Sequence, residues 1–192
     1  MKKIKNVICF LLASNFITCC QSQTVDTLNE NLIKMYTLTG QENIGKHITT
    51  FAAFDLQDKK YTTYDLNGKI TLISFWFEAC RPCIAEFEAL NVLYEKYRCK
   101  KQFQLFSFTF ETKENAKRIV KERNLKFPVL LLSYDSCNLI NFRQGYPLNM
   151  IINKEGKVSL LSAGGPTDPK IAQEKFNILI KPALDLLLQE IN

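Results

Sequence analysis

The segment Phe75-Trp76-Phe77-Glu78-Ala79-Cys80-Arg81-Pro82-Cys83 constrains this chain more than any other. It follows an apolar run from Ile70 to Phe75 and opens a helical pattern that runs from Ile84 towards Tyr97. Two cysteines spaced C-x-x-C, where a strand hands over to the first turn of a helix, suit thiol–disulfide exchange. The first sulfur then sits among free backbone N–H groups at the positive end of the helix dipole, which stabilise a thiolate. The second lies about one turn further on, close enough to attack a mixed disulfide made by the first. Arg81 adds positive charge beside Cys80 and favours the same thiolate. Cys80 is therefore the expected nucleophile and Cys83 the expected resolving thiol.

Two structural readings of the pair compete with this one. A C-x-x-C loop is a poor staple, because closing so small a ring removes little chain entropy. A zinc site needs two more ligands, and Cys99, Cys137 and His47 are scattered along the chain. No metal and no other cofactor is expected. His47, the only histidine, reads as a loop residue.

The chain has 192 residues, enough for one domain with a sizeable core. Its formal charge is +6, but residues 1–20 hold Lys2, Lys3 and Lys5 and no acid. The remainder carries 22 basic against 19 acidic side chains, or +3, too mild to argue for nucleic acid or a membrane surface.

The start of the chain reads as an export signal. Met1 to Asn6 is basic, Val7 to Thr18 is apolar, and the apolar run is too short for a mature membrane span. Cys19 or Cys20 is a candidate lipidation site, although neither follows Gly, Ala or Ser; ordinary cleavage after Ser22 is the alternative. Either route places the mature protein in the periplasm or cell envelope, in the second case without a lipid anchor. The domain boundaries read as 1–22 for the signal, 23–44 for a linker or leader helix, and 45–192 for the folded domain.

Within that domain the patterns alternate. A hairpin is expected from Phe51 to Leu56 and Lys60 to Tyr64, then a buried strand from Lys69 to Trp76 and a helix from Pro82 to Cys99. A second strand, Gln102 to Phe110, places Phe103, Leu105, Ser107 and Thr109 on one face. Thr112 caps a helix over Lys113 to Arg123, with Ala116, Ile119 and Val120 inward, and Asn124 ends it. Phe127 to Leu132 is a continuous apolar strand, as in a covered parallel sheet. Asp135 or Ser136 caps a short helix to Phe142. Gly145-Tyr146-Pro147 breaks the chain before a strand from Leu148 to Ile152. A tight turn at 153–156 leads to Lys157 to Ser162, and Gly164-Gly165-Pro166 ends the sheet. Asp168 and Pro169 open a last helix that Pro182 kinks or interrupts. The order implies an α/β fold: a mixed central sheet with helices on both faces.

From Gly45 to the C-terminus this layout resembles the thioredoxin fold, and most closely the TlpA/ResA-like thiol–disulfide oxidoreductases, with AhpC/TSA-like relatives. The resemblance rests on the Gly45-Lys46 lead-in with its hairpin, and on Phe75-Trp76 before Cys80-Arg81-Pro82-Cys83. It rests also on the inserted helix–strand unit from Lys113 to Leu132, and on Gly145-Tyr146-Pro147 before a strand and a Lys-Glu-Gly-Lys turn. It implies that Pro147 is cis and faces the redox pair, where it receives substrate backbone. It also implies a membrane-tethered or periplasmic setting, often as a reductant in cytochrome c maturation.

Three positions bear on the chemistry. Thioredoxin carries a buried Asp two residues before the Trp, and here Ser74 stands there; Leu148 replaces the small polar residue that usually follows the proline. The family's Glu three residues past the second cysteine is matched by Glu86. Glu86 shares a helix face with Cys83 and can accept its proton; the alternative is a solvated surface Glu, which is the reading for Glu78. Trp76 belongs either to the substrate surface, with Arg81, Tyr146 and Pro147, or to the core at a strand end. Cys99 and Cys137 read as small buried hydrophobes, placed too unfavourably for a mutual disulfide.

The expectation is an exported protein-disulfide reductase acting on disulfide-bearing proteins, resupplied by a membrane thiol-transfer electron donor, and monomeric. The rival is a Cu(I)-binding metallochaperone, since thiolates hold Cu(I); copper-delivery relatives of this fold use C-x-x-x-C and a distant downstream His, and this chain has neither. A peroxidase of the peroxiredoxin type needs Thr or Ser three residues before the reactive Cys, where Phe77 stands. A binding module would leave the C-x-x-C without a purpose.

Overall fold

The computed structural model describes residues 30, 31 and 33–189. The export signal, including Cys19 and Cys20, lies outside the described residues. The chain divides into two compact units, 1–35 and 36–192, and every strand and helix named below belongs to the second.

Seven strands form one sheet in the order β2-β1-β5-β4-β3-β6-β7. β1 (Ala52–Asp55) and β2 (Lys60–Thr62) make the expected hairpin. Its turn is held by Asp55, whose Oδ1 accepts from the N–H groups of Gln57 and Lys59 at 2.8 and 2.9 Å. β3 (Ile70–Phe75), β4 (Phe103–Thr109) and β5 (Val129–Leu131) run parallel. β6 (Leu148–Ile152) and β7 (Val158–Ala163) close the other side antiparallel.

The central strands are buried on both faces, and the period of two divides them between two cores. Ile70 and Leu72 of β3 join Phe103 and Leu105 of β4 beneath α1 (Arg81–Tyr97), α2 (Lys113–Arg123) and the C-terminal helices. Ile73 and Phe75 join Phe106 and Phe108 against α3 (Tyr134–Ile140) and the lead-in residues Ile48, Phe51 and Leu66. Phe103 and Leu105 share a face as expected, and because both faces of β4 are covered, Phe106 and Phe108 are as buried as that pair.

Local capping explains the helix boundaries. Thr112 caps α2 by accepting from Asn115 N, and Asn124 ends it in the left-handed region at φ 51°. α3 is capped by Ser133, not by Asp135 or Ser136; Ser133 Oγ accepts from Ser136 N at 3.1 Å. That helix stops at Ile140, because Phe142 and Arg143 turn to positive φ. Asp168 caps α4 (Pro169–Lys175), with Pro169 in the first turn. Ahead of Pro182 the helix widens into a π turn, Phe176–Ile180, where Lys181 N reaches Phe176 O, and then continues as α5 (Lys181–Gln189). The proline has no N–H for the regular ladder, and the wide turn takes up the misfit.

Sheet register places the functional elements. Phe75, the last residue of β3, pairs with Leu148, the first of β6. The chain leaving β3 towards Cys80 and the Tyr146-Pro147 peptide entering β6 therefore meet at one end of the sheet.

Candidate active site

Cys80 is the N-cap residue of α1, and its Sγ accepts from Cys83 N at 3.2 Å. The two cysteines are joined by a disulfide, with Cα atoms 5.2 Å apart. Their surroundings differ. The Cys80 sulfur faces a helix-end N–H, which favours a thiolate when the bond is reduced. Cys83 Sγ lies 3.8 Å from the carbonyl oxygen of Phe75, an acceptor that favours the protonated thiol. Arg81 occupies the first turn, exposed.

Tyr146-Pro147 is a cis peptide, at the sheet end that carries the cysteine pair. Trp76, by contrast, is fully buried. Its Nε1 donates to Ser107 Oγ at 3.1 Å and its ring meets Phe87 edge-on at 5.4 Å. This corrects the assignment of Trp76 to the substrate surface: the indole belongs to the core. The aromatic side chain beside the pair is half-buried Phe77, which stacks on Phe110 at 5.6 Å and meets Tyr146 at 5.4 Å. Past Tyr146 opens a cleft of about 690 Å³ bordered by Tyr134, Leu139 and Arg143. Sequence reasoning missed Phe77, Phe110 and Tyr134, although all three stand just beyond the ends of parallel strands.

Glu86 is buried, which overturns the solvated alternative. Its Oε1 lies 2.7 Å from Lys175 Nζ, and its Oε2 accepts from Asn149 Nδ2 at 2.8 Å. Burial pushes the carboxyl above its ordinary value, while the Lys175 ammonium and the Asn149 amide pull it back. Lys175 went unnoticed in the sequence because it lies 89 residues away on another helix. The available signal was a lysine on the apolar stripe of Ala172, Phe176 and Leu179. Its Nζ also donates to Gly164 O at 2.6 Å and lies 4.8 Å from the centre of the Tyr36 ring.

Beneath these residues a polar row crosses the sheet. Ser107, Ser74, Asn149 and Ser162 are successive register partners on β4, β3, β6 and β7, and all are buried. Asn149 Oδ1 and Ser162 Oγ find no hydrogen-bond partner among the described residues. Ser74, standing in place of an Asp, is thus one member of a row whose next residue, Asn149, donates to Glu86.

The other candidates fall as follows. Glu78 is exposed, and hydrogen bonds from Asn115 and Arg118 hold its carboxyl below the ordinary range. His47 Nδ1 lies 3.1 Å from Gly156 O, in a loop. Cys137 is buried and its thiol is pushed up to about 12 by burial. Cys99 is exposed, which corrects its reading as a buried hydrophobe. Among the described residues no group of three or more His, Cys, Asp or Glu could hold a metal ion. Nor is any described helix long and apolar enough to cross a membrane.

A bonded C-x-x-C pair capping the first helix after a central strand, at the sheet end that carries a cis-proline, defines a thioredoxin-like thiol–disulfide oxidoreductase. Residues 44–160 match the AhpC/TSA family, and the chain belongs to it. Thiol-disulfide oxidoreductase ResA of Bacillus cereus is 36% identical over 118 residues, 60% of this chain and 66% of that protein. ResA of Bacillus thuringiensis subsp. konkukian is 34% identical over 126 residues, 64% of this chain and 71% of that protein. In three dimensions the chain is similar to a thioredoxin-family thiol:disulfide interchange protein from Chlorobium tepidum. There the TM-score is 0.59 at 17% identity, over 75% of this chain and 97% of the other. A thiol:disulfide interchange protein from a Bacteroides species gives 0.57 at 22% identity, over 70% and 90%. These last two likenesses speak to the fold alone.

Proposed function

We propose that this chain is an exported protein-disulfide reductase in which Cys80 attacks and Cys83 resolves. The observation that carries this reading is the asymmetry of the pair: an N–H points at the Cys80 sulfur, and a carbonyl oxygen lies beside the Cys83 sulfur. In the reduced enzyme the Cys80 thiolate attacks a substrate disulfide. One substrate sulfur leaves as a thiolate and a Cys80–substrate disulfide forms. Cys83 then gives up its proton and attacks Cys80 Sγ. The Cys80–Cys83 bond forms, the second substrate thiolate leaves, and two electrons have passed to the substrate.

Glu86, three residues along the helix from Cys83, accepts that proton. Pro147 and Tyr146 receive the substrate backbone, and Arg81 and Phe77 border it. The oxidised pair is reduced again by a membrane thiol-transfer donor. The N-terminal basic and apolar blocks support delivery to the periplasm or envelope, with Cys19 or Cys20 carrying a lipid; the folded unit acts as a monomer.

The test is reduction of insulin or a model disulfide by the reduced protein. Cys80→Ser abolishes it, and Cys83→Ser accumulates a mixed disulfide through Cys80. Full turnover in Cys80→Ser would overturn the proposal. Mass spectrometry of the mature N-terminus checks export: an intact Met1 defeats it, and a plain start at Gln23 removes only the lipid.

A further inference from the structure

We infer that Lys175 is a positioning residue for the second half of the reaction: it holds the Glu86 carboxylate ready for the Cys83 proton. The inference rests on the reading of Glu86 as that acceptor and goes beyond it by assigning a role to the C-terminal helix.

The geometry carries it. Lys175 and Glu86 are among the most deeply buried charged side chains, at 0% and 1% exposure. A lysine is almost never fully buried unless its charge is matched. Here the ammonium has three neighbours: Glu86 Oε1 at 2.7 Å, Gly164 O at 2.6 Å and the face of Tyr36 at 4.8 Å. Each of its three protons has an electron-rich target. The contact fixes more than charge. With Lys175 on Oε1 and Asn149 on Oε2, both carboxylate oxygens are tied from elements outside α1.

The groups that face Glu86 are few. β6 supplies Asn149, α4 supplies Lys175, the segment after β7 supplies Gly165, and Tyr36 lies within reach of its charge. Lys175 is the only cation among these described residues. Burial and the charge of Glu86 both push the Tyr36 phenol above its ordinary value, so it stays neutral and offers no competing charge. Without Lys175, the upward push of burial on the Glu86 carboxyl would lose its largest opposing partner, and a protonated carboxyl cannot accept from Cys83. In the step itself the Cys83 proton passes to Glu86. Cys83 Sγ bonds to Cys80 Sγ, the Cys80–substrate bond breaks, and the substrate leaves as a thiolate. Lys175 neither gains nor loses a proton.

The experiment compares the full chain with Lys175→Met, Lys175→Arg, Glu86→Gln and the double variant Lys175→Met/Glu86→Gln. Single-turnover kinetics separate mixed-disulfide formation from substrate release across pH, and ¹³C carboxyl titration follows Glu86. Below its titration midpoint, each unit by which that midpoint rises removes about tenfold of the carboxylate. Lys175→Met is expected to raise the Glu86 midpoint and to slow release about tenfold or more at pH 7. The deficit disappears at higher pH, and mixed-disulfide formation is unaffected. Lys175→Arg restores release, and in the Glu86→Gln background the Met substitution adds no further slowing. Equal slowing of both steps, or the same slowing with Glu86→Gln already in place, overturns the inference. If Glu86→Gln slows release and Lys175→Met does not, the role of Lys175 alone is wrong. If Glu86→Gln leaves release unchanged, the reading of Glu86 fails and the inference with it. Should Lys175→Met not fold, Lys175→Gln keeps a donor for Gly164 O without the charge, and the same criteria apply.

Discussion

The backbone of Gly165 passes so close to Glu86 that a Cβ there would lie 2.6 Å from Oε1, and 3.1 Å from Pro147 Cγ. This strand-exit glycine therefore packs against both the buried carboxylate and the cis-proline loop. Gly165→Ala forces one of them to move. Glu86 is tied at both oxygens, so the displacement is not free. Overpacking of this kind costs about 1–3 kcal/mol. Urea unfolding should show that loss, with substrate release slowed as the carboxylate shifts. Unchanged stability would mean that the segment after β7 yields instead.

Trp76→Phe tests the core assignment of the indole. It leaves Ser107 Oγ without its donor in a dry site, at a cost of about 1–3 kcal/mol beyond the lost ring volume. The double variant with Ser107→Ala should be less destabilised than the sum of the two single changes. If Trp76 served substrate recognition, the variant would instead raise KM and leave the denaturation midpoint in place.

Asp185 ties α5 to α1. It accepts from Tyr97 Oη at 2.6 Å and pairs with Lys181 at 2.9 Å and Lys96 at 3.3 Å. Burial alone would raise its carboxyl, but these partners outweigh burial and hold it at about 2, below its ordinary 3.8. A depressed carboxyl stabilises the fold above its unfolded value and loses that stabilisation as pH falls through its folded value. The carboxyl is about a third exposed, so solvent screening reduces the effect to about 1 kcal/mol. Wild type should lose this increment between about pH 4 and pH 2. Asp185→Asn should lack that part of the slope in acid titrations of unfolding.

The two unpaired thiols of the folded unit should differ sharply in reactivity. Cys99 is exposed, while Cys137 is buried with its thiol pushed up to about 12. Alkylation of the native oxidised protein at pH 8, read by peptide mass spectrometry, should label Cys99 and spare Cys137 until the chain is unfolded. Rapid native labelling of Cys137 would show that α3 opens on the timescale of the reaction.

Much of the architecture was legible because local chemistry dictates it. Thr112 and Asn124 bracket α2 through a side-chain cap and a left-handed exit. Asp168 and Pro169 open α4, and the helix-start cysteines announce the redox pair. The β4 alternation placed Phe103 and Leu105 on one face as observed, and the expected helices on both sides of the sheet bury Phe106 and Phe108 on the other. The cap of α3 misled because Ser133, Asp135 and Ser136 all carry suitable oxygens. Only the chain's path into the helix selects Ser133.

The sequence by itself determined the order of strands and helices, the cysteine pair with its intrinsic polarity, and Glu86 one turn beyond it. These follow from spacing along single elements, where 3.6- and 2-residue periods decide which side chains share a face. Tertiary structure alone decided what surrounds Glu86. Lys175 arrives from a helix 89 residues away, Asn149 from the antiparallel partner of β3, and Gly165 from the end of β7. Tertiary structure alone also moved Trp76 from a possible surface into the core, because its hydrogen-bond partner Ser107 lies on the neighbouring parallel strand. The strength of a buried charge pair depends on desolvation, and desolvation is a property of the assembled layers that no single segment carries.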